Sequence, residues 1–236
     1  MKDYNDLKIL IGNQASAFQC YIDNVLHENE MFDFFDFFSS QTDVYVFSGV
    51  IRDFLLGYNQ YGENRDYDFV IRHFNDITFP RGLIKGSACE RNKFGGIKIV
   101  KGHSCFDVWG LEDTWGIVNK GEKDPDVFSL LQSTFFNFSS IVFDYKNSKF
   151  IIGDDFCKFY QTKSMDVVYK TNPYKESCIV SAFYYARRYD LIIGSRLKKW
   201  IVNNYSKQND YQSVQIKRFG RVVYNNKEIE YLVGSL

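Results

Sequence analysis

With 236 residues, 45% of them hydrophobic, the chain can bury a sizeable core as one large domain or two small ones. Twenty-nine basic residues balance 29 acidic ones, so no global field recruits nucleic acid and any RNA or DNA site must be a local patch. Five scattered cysteines without a Cys-x-x-Cys pair argue against zinc and against a disulfide framework. The opening MKDYNDLKILIGNQ is too polar for a secretory signal, and no apolar run approaches the ~20 residues of a membrane span. The expectation is a cytoplasmic protein with no membrane association.

In chain order, Phe18, Tyr21, Ile22 and Val25 recur at helical spacing. MFDFFDFFSS then supplies Phe32, Phe34, Phe35, Phe37 and Phe38, which read as core packing, so residues 1–39 form an N-terminal helical segment. VYVF (44–47) predicts a strand, and SGVIRDFLLG a turn followed by a short helix that Gly57 stops. YDFVI (67–71) is again strand-like. GGIKIV (95–100) and SCFDVWGL (104–111) pair across Lys101-Gly102-His103. DVFSLLQSTFF (126–136) predicts a helix and SIVFDYKNSKFII (140–152) a hairpin. Beyond Gly153, DDFCKFYQT, PYKESCIVSAFYYARRYD and SRLKKWIVNNY carry helical patterns, with Pro173 in the first turn of the longest. VQIKRFGRVVYNNKEIEYLVGSL returns to strand-like alternation around an Asn-Asn turn. The fold class is α+β: a mixed-sheet head over 40–152, then a helical neck with a C-terminal strand-like segment over 153–236.

Asp66 and Asp68 interrupt an otherwise apolar strand. Carboxylates at i and i+2 project to one face, and a core on that face would bury both charges unpaired. The face must be wet, paired with cations, or a metal site. Hard oxygen ligands suit Mg²⁺ held between carboxylates and substrate phosphates. Upstream, a strand ending in Ser48-Gly49 feeds a helix, an arrangement that presents backbone N–H groups to a phosphate, and Gly49 lets that backbone come close. Asp107, between apolar Phe106 and Val108 on a later strand, is a third candidate carboxylate. Arg52 is a candidate for triphosphate contact or for bracing the strand, Asp53 for local pairing or the same site, and Lys93 for phosphate or substrate contact.

The run S-G-V-I-R-D-F-L-L-G, a loop, then R-D-Y-D-F-V-I resembles the head signature of the class II nucleotidyltransferases of the DNA polymerase β superfamily. That family includes the tRNA CCA-adding enzymes and bacterial poly(A) polymerases. Its pattern of Gly-Gly-x-x-Arg-Asp-x-Leu-Leu-Gly, a spacer and Asp-x-Asp is met by Gly49, Arg52, Asp53, Leu55, Leu56, Gly57, Asp66 and Asp68, with Ser48 in place of the first Gly. NKFGGIKIVKGHSCFDVWGLEDTW is similar to the stretch that carries the family's third acidic residue, so Asp107 takes that place. FNFSSIVFDY (136–145) resembles the Phe-Thr-Ile-Asn block, and PYKESCIVSAFYYARRYD the first neck helix.

The resemblance implies a polymerase-β-like head. Asp66, Asp68 and Asp107 would be catalytic and hold two Mg²⁺ ions, while Ser48, Gly49, Arg52, Asp53 and Lys93 would bind nucleotide. The implied reaction moves a nucleoside monophosphate from an NTP to an acceptor hydroxyl. The acceptor is an RNA 3′ end, tRNA-like, or alternatively a protein hydroxyl as in toxin–antitoxin or defence nucleotidylylation. A degenerate module that holds nucleotide or RNA without chemistry is the third reading. The departures are specific. The family's Arg-Arg-Asp before the Phe-Thr-Ile-Asn block is here Ser133-Thr134-Phe135, no Glu-Asp-x-x-Arg motif stands in the neck, and the sequence stops short of a body and tail. The expectation is a minimal head-and-neck relative.

Overall fold

The structure is a computed structural model, and it describes residues 4–58, 66–92 and 95–236. The chain divides into two compact units: residues 1–134 with 139–157, and 135–138 with 158–236.

In the first unit α1 (Asn5–Gly12), α2 (Ala15–Glu28) and α3 (Phe32–Ser39) precede β1 (Val44–Phe47), α4 (Gly49–Leu55), β2 (Asp66–Ile71) and β3 (Ala88–Arg91). β4 (Ile97–Lys101), β5 (Ser104–Gly110), α5 (Trp115–Lys120), α6 (Val127–Ser133), β6 (Ile141–Asp144) and β7 (Lys149–Ile152) follow. The strands form one sheet in the order β3-β4-β5-β2-β1-β6-β7. β2 and β5 run parallel, and the other neighbours are antiparallel. The mixed sheet with flanking helices is the α+β head that the sequence predicts.

Each face of the sheet has its own cover, and the period of two along a strand decides which residue meets which. On one face Phe69 stacks on Phe35 of α3 at 3.8 Å between centroids, and Tyr67 stacks on Phe106 at 5.3 Å. Phe18 of α2 meets Phe143 edge-on at 4.9 Å. The Phe-rich segment over 32–38 is therefore core, as its composition predicts: Phe34, Phe35 and Phe38 are wholly buried. On the other face Tyr45, Val70 and Val142 form a cluster with Leu111, Ile117, Leu130 and Leu131 from the segment that carries α5 and α6.

In the second unit β8 (Ser164–Met165) pairs in parallel with β9 (Ile192–Ile193), beside α8 (Lys175–Arg188), α9 (Ser195–Asn204), α10 (Tyr211–Phe219) and α11 (Asn226–Gly234). α7 (Asp154–Thr162) precedes them in the chain. Pro173 lies just ahead of α8, outside its first turn. Buried Asp166 anchors this unit by accepting the Leu197 N–H at 2.7 Å and the Arg196 Nε–H at 3.1 Å.

The strand-like expectation for the C-terminal segment is wrong, because the residues there form α10 and α11. The alternation in VQIKRFGRVV is incidental, since the buried residues Tyr211 and Gln215 stand four apart, on one face of a helix. The Asn-Asn pair is the start of a helix and not a hairpin turn. The Asn225 side chain accepts the Glu228 N–H at 3.0 Å, and the Glu228 carboxylate accepts the Asn225 N–H at 2.7 Å, a reciprocal capping box. Among the described residues, no helix is long and apolar enough to cross a membrane.

Candidate active site

The site lies on the face of the sheet that α5 and α6 cover only in part. Along β2 that face reads Asp66, Asp68, Val70, which pass from exposed through half-buried to wholly buried. The apolar cluster closes one end of the strand, and the carboxylates occupy the open end. The intervening Tyr67 and Phe69 point into the aromatic core and hold the strand in register. A one-residue slip would bury both charges and expose both rings.

Parallel pairing sets β5 beside β2 so that Asp66 stands level with Cys105 and Asp68 with Asp107. The three sequence-predicted carboxylates are thereby brought together from segments some 40 residues apart. The tightest convergence among the described residues comprises Asp66, Cys105 and Asp107, whose ligand atoms all lie within 4.8 Å of one another; Asp68 flanks it. Lys98 of β4 is the cross-strand partner of Asp107, with Nζ 3.8 Å from Oδ2. Phe47, level with Asp68 on β1, meets Trp109 edge to face at 5.9 Å where the polar end gives way to the apolar cluster.

Electrostatics follow from this crowding. Burial raises the pKa of Asp107 above its ordinary value; Lys98 opposes the rise and Asp66 adds to it. The Cys105 thiol is pushed up to about 12, first by burial and then by the Asp107 charge. Burial works against the Lys98 ammonium, yet Asp107, Cys105 and Asp66 outweigh it and raise the Lys98 pKa. A protonated thiol is a poor ligand for a hard cation, whereas clustered carboxylate oxygens suit Mg²⁺. The donor set therefore fits a magnesium-class ion held by the aspartates.

The turn into α4 is built around Ser48, which has φ 50° and ψ −91°. A side chain at positive φ is strained, which gives a physical reason for the glycine that the family pattern has at this position. Ser48 is held there by an Oγ–Oγ hydrogen bond of 2.7 Å to Ser139. Next to it, a side chain on Gly49 would enter open space, so glycine leaves that backbone uncovered. Gly57, at φ +76°, ends the helix as its position predicts.

Arg52 and Asp53 lie inside the protein. The Arg52 Nε donates to Asp53 Oδ1 at 2.9 Å and Nη2 stands 2.8 Å from the same oxygen, with side chains 7% and 5% exposed. This placement suits the local pairing that the sequence left open for Asp53 more than a direct grip on a triphosphate. Lys93 lies outside the described residues. Ser133 and Thr134, where the family pattern has arginines, close the end of α6 through hydroxyl bonds to Leu130 O and Leu131 O at 2.8 and 3.0 Å.

Sequence reasoning missed Cys105 and Lys98. Cys105 is two residues from Asp107 on one strand, so the alternation that groups Asp66 with Asp68 also groups Cys105 with Asp107. Lys98 is the charged residue inside the alternating run GGIKIV, and the short turn at Gly102-His103, with Lys101 paired to Ser104, sets it opposite Asp107.

No protein-family model and no curated protein sequence matches the chain. Solved structures do. An apo CCA-adding enzyme superposes with a TM-score of 0.59 at 14% identity over 91% of this chain and 53% of that one. An apo tRNA-processing enzyme gives 0.58 at 16% identity over 91% and 56%. A tRNA nucleotidyltransferase complexed with a primer tRNA and an incoming ATP analogue gives 0.56 at 16% identity over 82% and 57%. The chain thus has the fold of these proteins and spans about half the length of the solved chains it matches.

Proposed function

We propose that the chain is a metal-dependent nucleotidyltransferase that moves a nucleoside monophosphate from an NTP to an acceptor hydroxyl, with an RNA 3′ end as the acceptor. The observation that carries this reading is the register Asp68 to Asp107, which gathers Asp66, Asp68 and Asp107 at the open end of one face of the sheet. The shared fold supports the reaction class, and the primer tRNA and incoming ATP analogue bound by one such neighbour motivate NTP and RNA as substrates. The first unit serves as head and the second as neck. Five free cysteines suit a reducing, cytoplasmic setting.

Asp66 and Asp68 would hold one divalent ion for the triphosphate, and Asp107 would complete a second position for the acceptor. Bound there, two Mg²⁺ ions would neutralise phosphate charge and make the acceptor hydroxyl more acidic. The chain contributes the rest. The turn at Ser48-Gly49 offers uncovered backbone to the phosphates. Asp107, on the acceptor side of the cluster, receives the hydroxyl proton. The acceptor oxygen bonds to the α-phosphorus as the bond to the β-phosphate oxygen breaks, and pyrophosphate leaves with that electron pair.

The test incubates the protein with each labelled NTP, Mg²⁺, and total RNA or total protein, with a parallel RNA sample oxidised by periodate to remove the terminal 3′-OH. Label on intact RNA that disappears after oxidation is the expected result. Label on protein moves the acceptor to a protein hydroxyl, and no transfer to either sinks the reading.

A further inference from the structure

The mechanism above leaves Lys98 without a part. Lys98 faces Asp107 across the β4–β5 pair, with its ammonium 3.8 Å from the carboxylate. Asp66 and Cys105 converge on the same Asp107 within 4.8 Å. The position that a cation must take to be held by Asp107 is therefore already next to one. An exposed ion pair contributes little to stability, and the Lys98 side chain is 44% exposed. Its consequence is electrostatic: an ammonium and a divalent ion drawn to one carboxylate repel each other across a few ångströms in a partly buried site.

We infer that Lys98 is a resident counter-cation of this cluster, which holds Asp107 in the metal-free protein and competes with the acceptor-side divalent ion for it. The inference rests on the metal-dependent reading proposed above. Asp107 takes the second ion only when the ammonium swings aside, and a flexible, half-exposed lysine stem allows that movement. The ion held toward the triphosphate by Asp66 and Asp68 is affected less. Lys98 thus sets a metal threshold: the first ion enters readily, and the second needs more metal or an incoming phosphate that draws the ammonium away.

The test titrates the full chain with Mn²⁺ in the presence of a non-hydrolysable NTP analogue and follows free Mn²⁺ by paramagnetic resonance, so that turnover plays no part. The wild type should show one tighter and one weaker ion. Lys98→Met should tighten the weaker one by about tenfold or more, and Lys98→Arg, which keeps the charge, should leave it weak. Circular dichroism checks that each variant folds, with Lys98→Gln as a second neutral variant. An unchanged or weakened second ion in both neutral variants overturns the inference. If Asp66→Asn with Asp68→Asn abolishes the tighter ion while the neutral variants change nothing, the metal reading stands and the role of Lys98 alone fails. If no form of the protein takes up Mn²⁺ with the analogue, both fail.

Discussion

Asp68 and Asp107 stand level on two adjacent parallel strands, the one parallel pairing in a sheet otherwise antiparallel between its described neighbours. Because both residues occupy the same phase of the pleat, their carboxylates share a face, and Asp66 joins them two residues earlier on β2.

That arrangement makes Asp107 a test of the chemistry. Asp107→Asn should lower kcat by about two orders of magnitude or more and leave nucleotide affinity within a few-fold, the pattern of a group that acts in the transition state. The same change should leave the metal-free protein as stable or more so at neutral pH. The folded pKa of Asp107 is raised, so the native state holds its proton more firmly than the unfolded chain. Stability is then lost as pH rises from the ordinary value through the folded one, and an uncharged Asn escapes that loss. Kinetics, nucleotide titration and thermal melts on one sample check all three; near-normal turnover removes Asp107 from the site.

Asp66 and Asp68 repel each other unless a cation sits between them. Mg²⁺ together with NTP should raise Tm, with stabilisation growing to about 2.7 kcal/mol when ligand reaches about a hundred times its Kd. Asp66→Asn combined with Asp68→Asn should abolish the rise. A rise of full size in the double variant would put the metal elsewhere.

Ser48 carries a backbone conformation that suits glycine, so two substitutions there separate strain from hydrogen bonding. Ser48→Ala and Ser48→Gly both lose the bond to Ser139 Oγ, but only alanine keeps a Cβ at φ 50°. The glycine variant should be the more stable of the two by more than about 1 kcal/mol in urea unfolding. Equal stability, or a more stable alanine variant, would mean that the turn relaxes without strain.

The Arg52–Asp53 pair is buried, so removing one charge takes a short ion pair out of a place that water barely reaches. Asp53→Asn should cost about 1.5–3 kcal/mol, because the charge-assisted bonds from the Arg52 guanidinium to Asp53 Oδ1 are weakened. Adding Arg52→Met to that variant should cost less than Arg52→Met costs alone. A double variant as unstable as the sum of the two single variants would show that the residues act independently.

The order of the amino acids alone specifies the elements around the site and the residue types in it. A strand with carboxylates at i and i+2, the turn at Ser48-Gly49 and the stop at Gly57 are local features, readable because side-chain direction and glycine's backbone freedom depend on nearest neighbours. It failed where two periods compete over a short stretch. The alternation in VQIKRFGRVV also fits a helix with Tyr211 and Gln215 inward, and the Asp210 and Asn225 caps decided in favour of the helix. Which strands are neighbours depends on contacts far apart in the chain. The pairing of β2 with β5 turns three separated aspartates into one cluster, admits Cys105 beside them, and sets Lys98 against Asp107. The fold also turned the Arg52 guanidinium inward onto Asp53, whereas the sequence left it open to a triphosphate. Such placements depend on contacts distant in sequence, whose register is set by how the Phe-rich helices and the α5–α6 segment cover the two faces of the sheet.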